Sequence, residues 1–168
     1  MENNFYHNIL AALCTAIIVI FSQISIPIGT VPITLQVFAI ALVGFSIKRI
    51  QAILSVVTYI LLGIIGIPVF TGFNSGLSVF AGATGGFIIG FIFLIFFCSL
   101  STEKHKLLSI VGLVSCHLCG IVWFMIIYSQ SFMSAFIITS APFILKDLLL
   151  LYIADRISKK IRPLIEKI

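Results

Sequence analysis

Residues 9–100 hold no charged side chain except Lys48 and Arg49. A soluble domain is about a quarter charged, whereas this chain of 168 residues is 61% hydrophobic and 9% charged. Water could not cover that much apolar surface, so the solvent must be lipid. The chain reads as one integral membrane domain over 1–168, all-α, with no soluble second domain. No basic n-region precedes the first apolar run, and no small-x-small cleavage site follows it. That run is therefore expected to stay as a transmembrane helix rather than act as a signal peptide. The net charge of +5 suits anionic lipid headgroups and topology control, because the basic residues sit at helix ends. It does not point to nucleic acid.

A spanning helix needs roughly 20 mostly apolar residues. Candidate spans are 9–26, 33–47, 50–66, Gly85–Leu100, Leu107–Tyr128 and a sixth within 135–157, starting near Pro142 because proline suits a first helical turn. The connections alternate in character. Segments 28–32, 68–83 and 129–141 carry no charge. The other set holds Lys48 and Arg49, "EKHK" at 103–106 and "DRISKKIRPLIEKI" at 155–168. All Lys and Arg fall in this second set except Lys146, which lies within a helix. By the positive-inside rule the basic set faces the cytoplasm, with both termini inside.

The uncharged connections are not ordinary loops. "IPIGTVPITLQ" (26–36) breaks an apolar chain with two prolines, a glycine and polar side chains. "PVFTGFNSGLSVFAGATGG" (68–86) interleaves Gly, Ser, Thr and Asn with Phe70, Phe73, Leu77 and Phe80. Irregular backbone at membrane depth is tolerated only where protein buries it or it lines a cavity. Both segments are expected to fold inward over a pocket open to the outside; the alternative is a pair of well-packed outer turns.

Asp147 is the one acid within a span, and Lys146 precedes it. Ionisable groups there cost about 2.5–3.5 kcal/mol each on insertion scales and are functional candidates. Neighbours on a helix point about 100° apart, so the two are not expected to share one ligand atom. The alternatives are that Lys146 snorkels to the outer headgroups and Asp147 caps or pairs locally. Ala12 and Ala16, and Gly82, Gly86 and Gly90, form small-residue stripes that either pack the bundle or mark a docking surface.

The cysteines at 14, 98, 116 and 119 lie in apolar runs, and "CHLC" (116–119) reads as packing rather than a metal pair. No P-loop, HExxH or G-x-S-x-G is present, and His7, His105 and His117 are scattered. An enzyme is not expected, nor a metal or a cofactor.

The strings "SQISIP" (22–27), "TVPITLQ" (30–36), "LLGIIGIPVF" (61–70) and "GATGGFIIGF" (82–91), in this order, resemble BioY, the family of biotin-specific substrate-binding subunits of energy-coupling factor (ECF) transporters. The resemblance covers about residues 10–155. It implies a six-helix membrane bundle, the S-component fold, with irregular outer loops and the 26–36 segment as a lid. It implies partners: a transmembrane coupling subunit, which the Ala12 and Ala16 pair would dock, and two cytoplasmic ATPases. The whole subunit would topple in the membrane to release biotin. Asn74 and Asp147 match ligand-binding positions, with Lys146, Thr34, Gln36, Phe73 and Trp123 as further candidates, Trp123 and Phe73 (with Phe70) as apolar walls. Many members carry a lysine where this chain has Leu150, and some an arginine where it has Ile88. Lys146 or backbone N–H groups would then meet the ligand carboxylate, or the ligand would be a relative such as dethiobiotin. Competing readings are a solitary facilitator and a membrane-embedded enzyme or scaffold.

Overall fold

The computed structural model describes residues 2–101 and 107–165, with side chains from residue 5 onward. The "EKHK" string at 103–106 with His105, and the last three residues of the basic tail, lie outside the described residues. Among those described there are seven α-helices: α1 (Glu2–Gln23), α2 (Gln36–Ser46), α3 (Arg49–Ile64), α4 (Gly85–Leu100), α5 (Leu107–Tyr128), α6 (Phe132–Thr139) and α7 (Ala141–Ile165). Two short strands, β1 (Ser25–Ile26) and β2 (Ile33–Thr34), lie between α1 and α2.

The "IPIGTVPITLQ" segment is more ordered than an irregular lid. Ser25 pairs antiparallel with Thr34 and Ile26 with Ile33, and Leu35 N–H extends the pairing to Ile24 O at 3.3 Å. Pro27 and Pro32 bound the connection because neither can donate to a ladder, and Gly29 turns it at φ +71°. This pairing takes residues from both neighbouring helices. α1 stops at Gln23 rather than residue 26, and α2 begins at Gln36 rather than residue 33.

α2 is the centre of the bundle, against α7, α4, α1 and α3. Every residue of it except Phe38 and Leu42 is buried, as expected of a helix that is apolar all round. α4 and α5 meet through small residues. A Cβ on Gly90 would lie 2.8 Å from Cys116 Cα, and Gly86 abuts the Cys119 carbonyl and Trp123. The Gly86 and Gly90 stripe therefore packs the bundle. Ala12 and Ala16 do not: both are exposed on α1, on the side that presents Ile9, Leu13, Ile17 and Ile20. The opposite side of α1 buries Ala11, Cys14, Thr15 and Ile18, and Thr15 Oγ1 donates to Ser55 O of α3 at 3.0 Å.

The spans differ from the sequence expectation in length. α1 (over Phe5–Gln23) and α5 are each long and apolar enough to cross a membrane. α2, α3 and α4 have 11, 16 and 16 residues, fewer than the roughly 20 of a full crossing. The sixth span expected from near Pro142 falls on α7, and the expected 129–141 connection holds α6, which meets α7 at a bend of 49°. Pro142 sits in the first turn of α7, where its missing N–H costs nothing. Large apolar side chains cover the outside, Leu145 at 81%, Ile126 at 67% and Ile20 at 61% exposure among them. Such a surface belongs in lipid, and the chain is a membrane protein.

Described residues of the two kinds of connection line two separate clefts. Lys48, Arg49, Ser99, Ser101 and Arg162 line one cleft. The lid, the 70–79 loop and the start of α7 line another.

Candidate functional site

The loop after α3 is clamped to the end of α1. Ser22 Oγ donates to Val69 O at 2.6 Å, and Gln23 Nε2 donates to Val69 O and Phe70 O at 3.0 and 3.2 Å. Gln23 Oε1 accepts the Phe73 N–H at 2.9 Å. This holds Phe73 at φ +58° beside Gly72 at φ +71°, a left-handed turn that a bulky residue adopts only under restraint. Phe70 is driven inward, 1% exposed, over Gly63, with its ring edge-on to Tyr59 and Phe80.

Beneath the lid and beside α7 lies a cavity of about 180 Å³. Water takes about 30 Å³ per molecule in the liquid, so the space suits a small organic molecule rather than a bare ion. Its walls are largely apolar: Phe70, Phe87, Ile88, Phe91 and Phe143. The roof is Val31, Pro32 and Thr34 of the lid, and Val31 is pinned in a second apolar cluster with Ile121, Phe124, Ala135 and Phe143. Apolar walls with a few fixed polar groups are the usual build of a ligand pocket.

The polar groups form one connected strip. Asn74 Nδ2 donates to Thr71 O at 2.8 Å. Thr71 Oγ1 and Thr34 Oγ1 donate to Gln36 Oε1 at 3.2 and 3.1 Å, and Gln36 Nε2 donates to the buried Tyr59 hydroxyl at 2.8 Å. Lys146 Nζ donates to Thr34 O at 2.9 Å and lies 2.6 Å from Asp147 Oδ1. The other Asp147 oxygen faces His117 Nε2 at 3.4 Å. Asp147 is 3% exposed and His117 7%.

Five of the expected residues come together here: Asn74, Asp147, Lys146, Thr34 and Gln36 all line the cavity. Lys146 and Asp147 meet each other although neighbours on a helix point about 100° apart. Their Cα–Cβ bonds do diverge, but the four-carbon lysine stem bends the ammonium back to its neighbour's carboxylate and to the lid. Lys146 thus points inward rather than to the headgroups. Phe73 and Trp123 are not among the described lining residues. Phe73 is 71% exposed, its side chain turned out by the left-handed backbone. Trp123 donates from Nε1 to Phe80 O at 2.8 Å and rests on Gly85 and Gly86, fastening the outer loop to α5. Of the two positions where family members carry a basic residue, Ile88 is in the wall and Leu150 is not.

The sequence model of the BioY family matches residues 2–167. The chain belongs to the BioY family. Among curated BioY proteins, the probable biotin transporter of Pyrococcus horikoshii is 40% identical over 83% of this chain and 85% of its own. The biotin transporter BioY of Thermotoga maritima is 36% identical over 93% and 95%. Among solved structures, the fold is similar to a crystal structure of the S-component for biotin from an ECF-type ABC transporter, with a TM-score of 0.87 and 25% identity. That match covers 96% of this chain and 93% of the other.

His117 reaches the polar strip through Asp147, and Thr71 and Tyr59 through Gln36; none of the three was picked out from sequence. His117 and Asp147 lie on different helices, and no spacing rule joins them. Thr71 stood within the expected outer loop, and its place between Asn74 and Gln36 was the available signal.

Proposed function

We propose that this BioY chain captures biotin outside the cell membrane and passes it inward as the substrate-binding subunit of an ECF-type transporter. It has no catalytic step of its own. The observation that carries this reading is the cavity under the lid, with a polar strip along apolar walls. Biotin is a compact apolar bicycle with a ureido group at one end and a carboxylate on a flexible chain at the other. Phe70, Phe87 and Phe143 suit the bicycle. Asn74 offers amide donors and an acceptor, and Asp147 accepts from ureido N–H groups. Lys146, the cation of the described lining, pivots on its stem from Asp147 to the carboxylate.

The chain works with a transmembrane coupling subunit and two cytoplasmic ATPases. The exposed Ala12 and Ala16 face supports that partnership, since small residues let a foreign helix approach closely. It crosses the plasma membrane of a prokaryote six times, with both ends cytoplasmic and α6–α7 as a bent crossing. The meeting of Lys48, Arg49 and Arg162 at the end away from the lid supports this orientation. The whole subunit topples to turn the lid inward.

Calorimetric titration of detergent-purified protein with biotin, dethiobiotin, lipoate and thiamine tests the ligand. Biotin is expected to bind best. Asn74→Ala should weaken it about tenfold, the effect of one lost hydrogen bond of about 1.5 kcal/mol. Tighter binding of lipoate or thiamine would overturn the biotin reading, and an unchanged Asn74→Ala titration would remove that residue from the site.

A further inference from the structure

We propose that this site takes up a proton together with its ligand, and that the His117 imidazole receives it. The proposal rests on the biotin reading, because it requires a ligand that carries a carboxylate.

Among the described lining residues the ionisable side chains are Lys146 and Asp147, one cation and one anion, already paired at 2.6 Å. The ligand-free cavity is balanced. An anionic ligand brings a second carboxylate under the lid with one ammonium to serve both. Two carboxylates sharing one counter-ion in a low-dielectric site favour binding of a proton nearby.

His117 is the base placed to take that proton. It stands behind Asp147, on the side away from the cavity, and does not line it. From α7, Asp147 Oδ2 faces its Nε2 at 3.4 Å, with Lys146 on the carboxylate's other oxygen. From the break between α6 and α7, Ser140 Oγ faces its Nδ1 at 3.1 Å. From α4, the Phe87 ring packs edge-on with centroids 5.8 Å apart. On its own helix the titratable neighbours are Cys116 and Cys119. Among the described residues, then, the only charged groups facing the imidazole are that carboxylate and, behind it, the Lys146 ammonium.

The ligand-free arrangement leaves the imidazole under-satisfied. His117 Nε2 is shielded and has no aligned hydrogen-bond partner among the described residues, with Asp147 Oδ2 facing it at 3.4 Å. When the ligand draws Lys146 away, Asp147 loses its counter-ion, and the ureido N–H groups it then meets carry no charge. A proton from solvent on the imidazole nitrogen that lacks one makes both nitrogens donors. Nε2–H then donates to Asp147 Oδ2, and Nδ1–H donates to Ser140 Oγ, which can accept as readily as donate.

The test is calorimetry of the full chain in phosphate and in Tris, buffers whose ionisation enthalpies differ widely. With biotin, the difference in heat should correspond to about one proton taken up per ligand bound. With biotinamide, which is neutral, the two buffers should give the same heat. In His117→Gln, biotin should still bind, more weakly, with no buffer-dependent heat. Biotin binding with equal heats in both buffers would overturn the proposal while leaving the biotin reading in place. Proton uptake that persists in His117→Gln would overturn the assignment to His117. The biotin and biotinamide comparison uses only the unaltered chain, so it decides the first point even if that variant does not fold. Absence of biotin binding in either buffer would overturn the biotin reading, and this inference with it.

Discussion

Tryptophan at both Ala12 and Ala16 should abolish biotin uptake by cells carrying the complete transporter, while purified variant protein still binds biotin within about twofold of the unaltered chain, as expected of sites outside the packed core. The two alanines lie one turn apart on the exposed side of α1, flanked by Leu13 and Ile17. Removing side-chain bulk there leaves a shallow groove along the helix. In lipid no hydrophobic drive pulls helices together, so close backbone approach has to supply much of the association. An indole ring on that face holds a partner helix away by several ångströms, which ends coupling to the ATPases. The same change meets no internal neighbour, because α1 is anchored from its other side by Thr15 on Ser55 O and by Ser22 and Gln23 on the 69–70 carbonyls. Transport assays paired with binding assays check this. Loss of binding in the same variants would reassign the alanines to internal packing, and normal uptake would remove them from docking.

Asp147→Asn is expected to weaken biotin binding by roughly ten- to hundredfold. The substitution keeps shape and removes charge. A charge-assisted hydrogen bond contributes about 1.5–3 kcal/mol, and each 1.4 kcal/mol is about tenfold in affinity. Two further consequences pull in opposite directions. Lys146 loses the carboxylate 2.6 Å away, which frees its ammonium for the ligand carboxylate and offsets part of the loss. The asparagine amide turns donor hydrogens toward His117 or toward the ligand, where an acceptor was needed. Titration of the purified variant against the unaltered chain measures the effect. Unchanged affinity would remove Asp147 from the site without touching the fold.

Parts of the fold were plain in the sequence because local signals agree there. α4 and α5 have the bounds expected, since Gly85–Gly86 and the turn residues beside them punctuate long apolar runs. The start of α7 at Ala141 follows from Pro142. The ends of α1 and α2 were not legible: Ser25 and Ile26 look like more helix until Ile33 and Thr34 pair with them, and that pairing is a contact across a loop. α6 was read as part of the uncharged 129–141 connection, and its helix, 132–139, is too short to stand out from an apolar loop by pattern alone.

The site divides the same way. Asn74, Thr34, Gln36, Lys146 and Asp147 stand out as polar groups in an apolar chain, and the fold collects them. Direction is harder to read than position. Phe73 faces out because its backbone is left-handed. Trp123 is used to fasten a loop. Lys146 reaches its neighbour because a flexible stem outruns the helical angle. His117 drew attention only as part of "CHLC", and its relation to Asp147 exists only once α5 and α7 are packed.

The central claim is that the space between the 26–36 lid and α7 holds biotin. The most direct measurement is an experimental structure of the chain determined with biotin. The account predicts the bicycle against Phe87 and Phe143, beneath Val31 and Pro32, with polar contacts to Asn74, Asp147 and Lys146. Biotin seated elsewhere, or a lid splayed away from α7 with biotin bound, would contradict it.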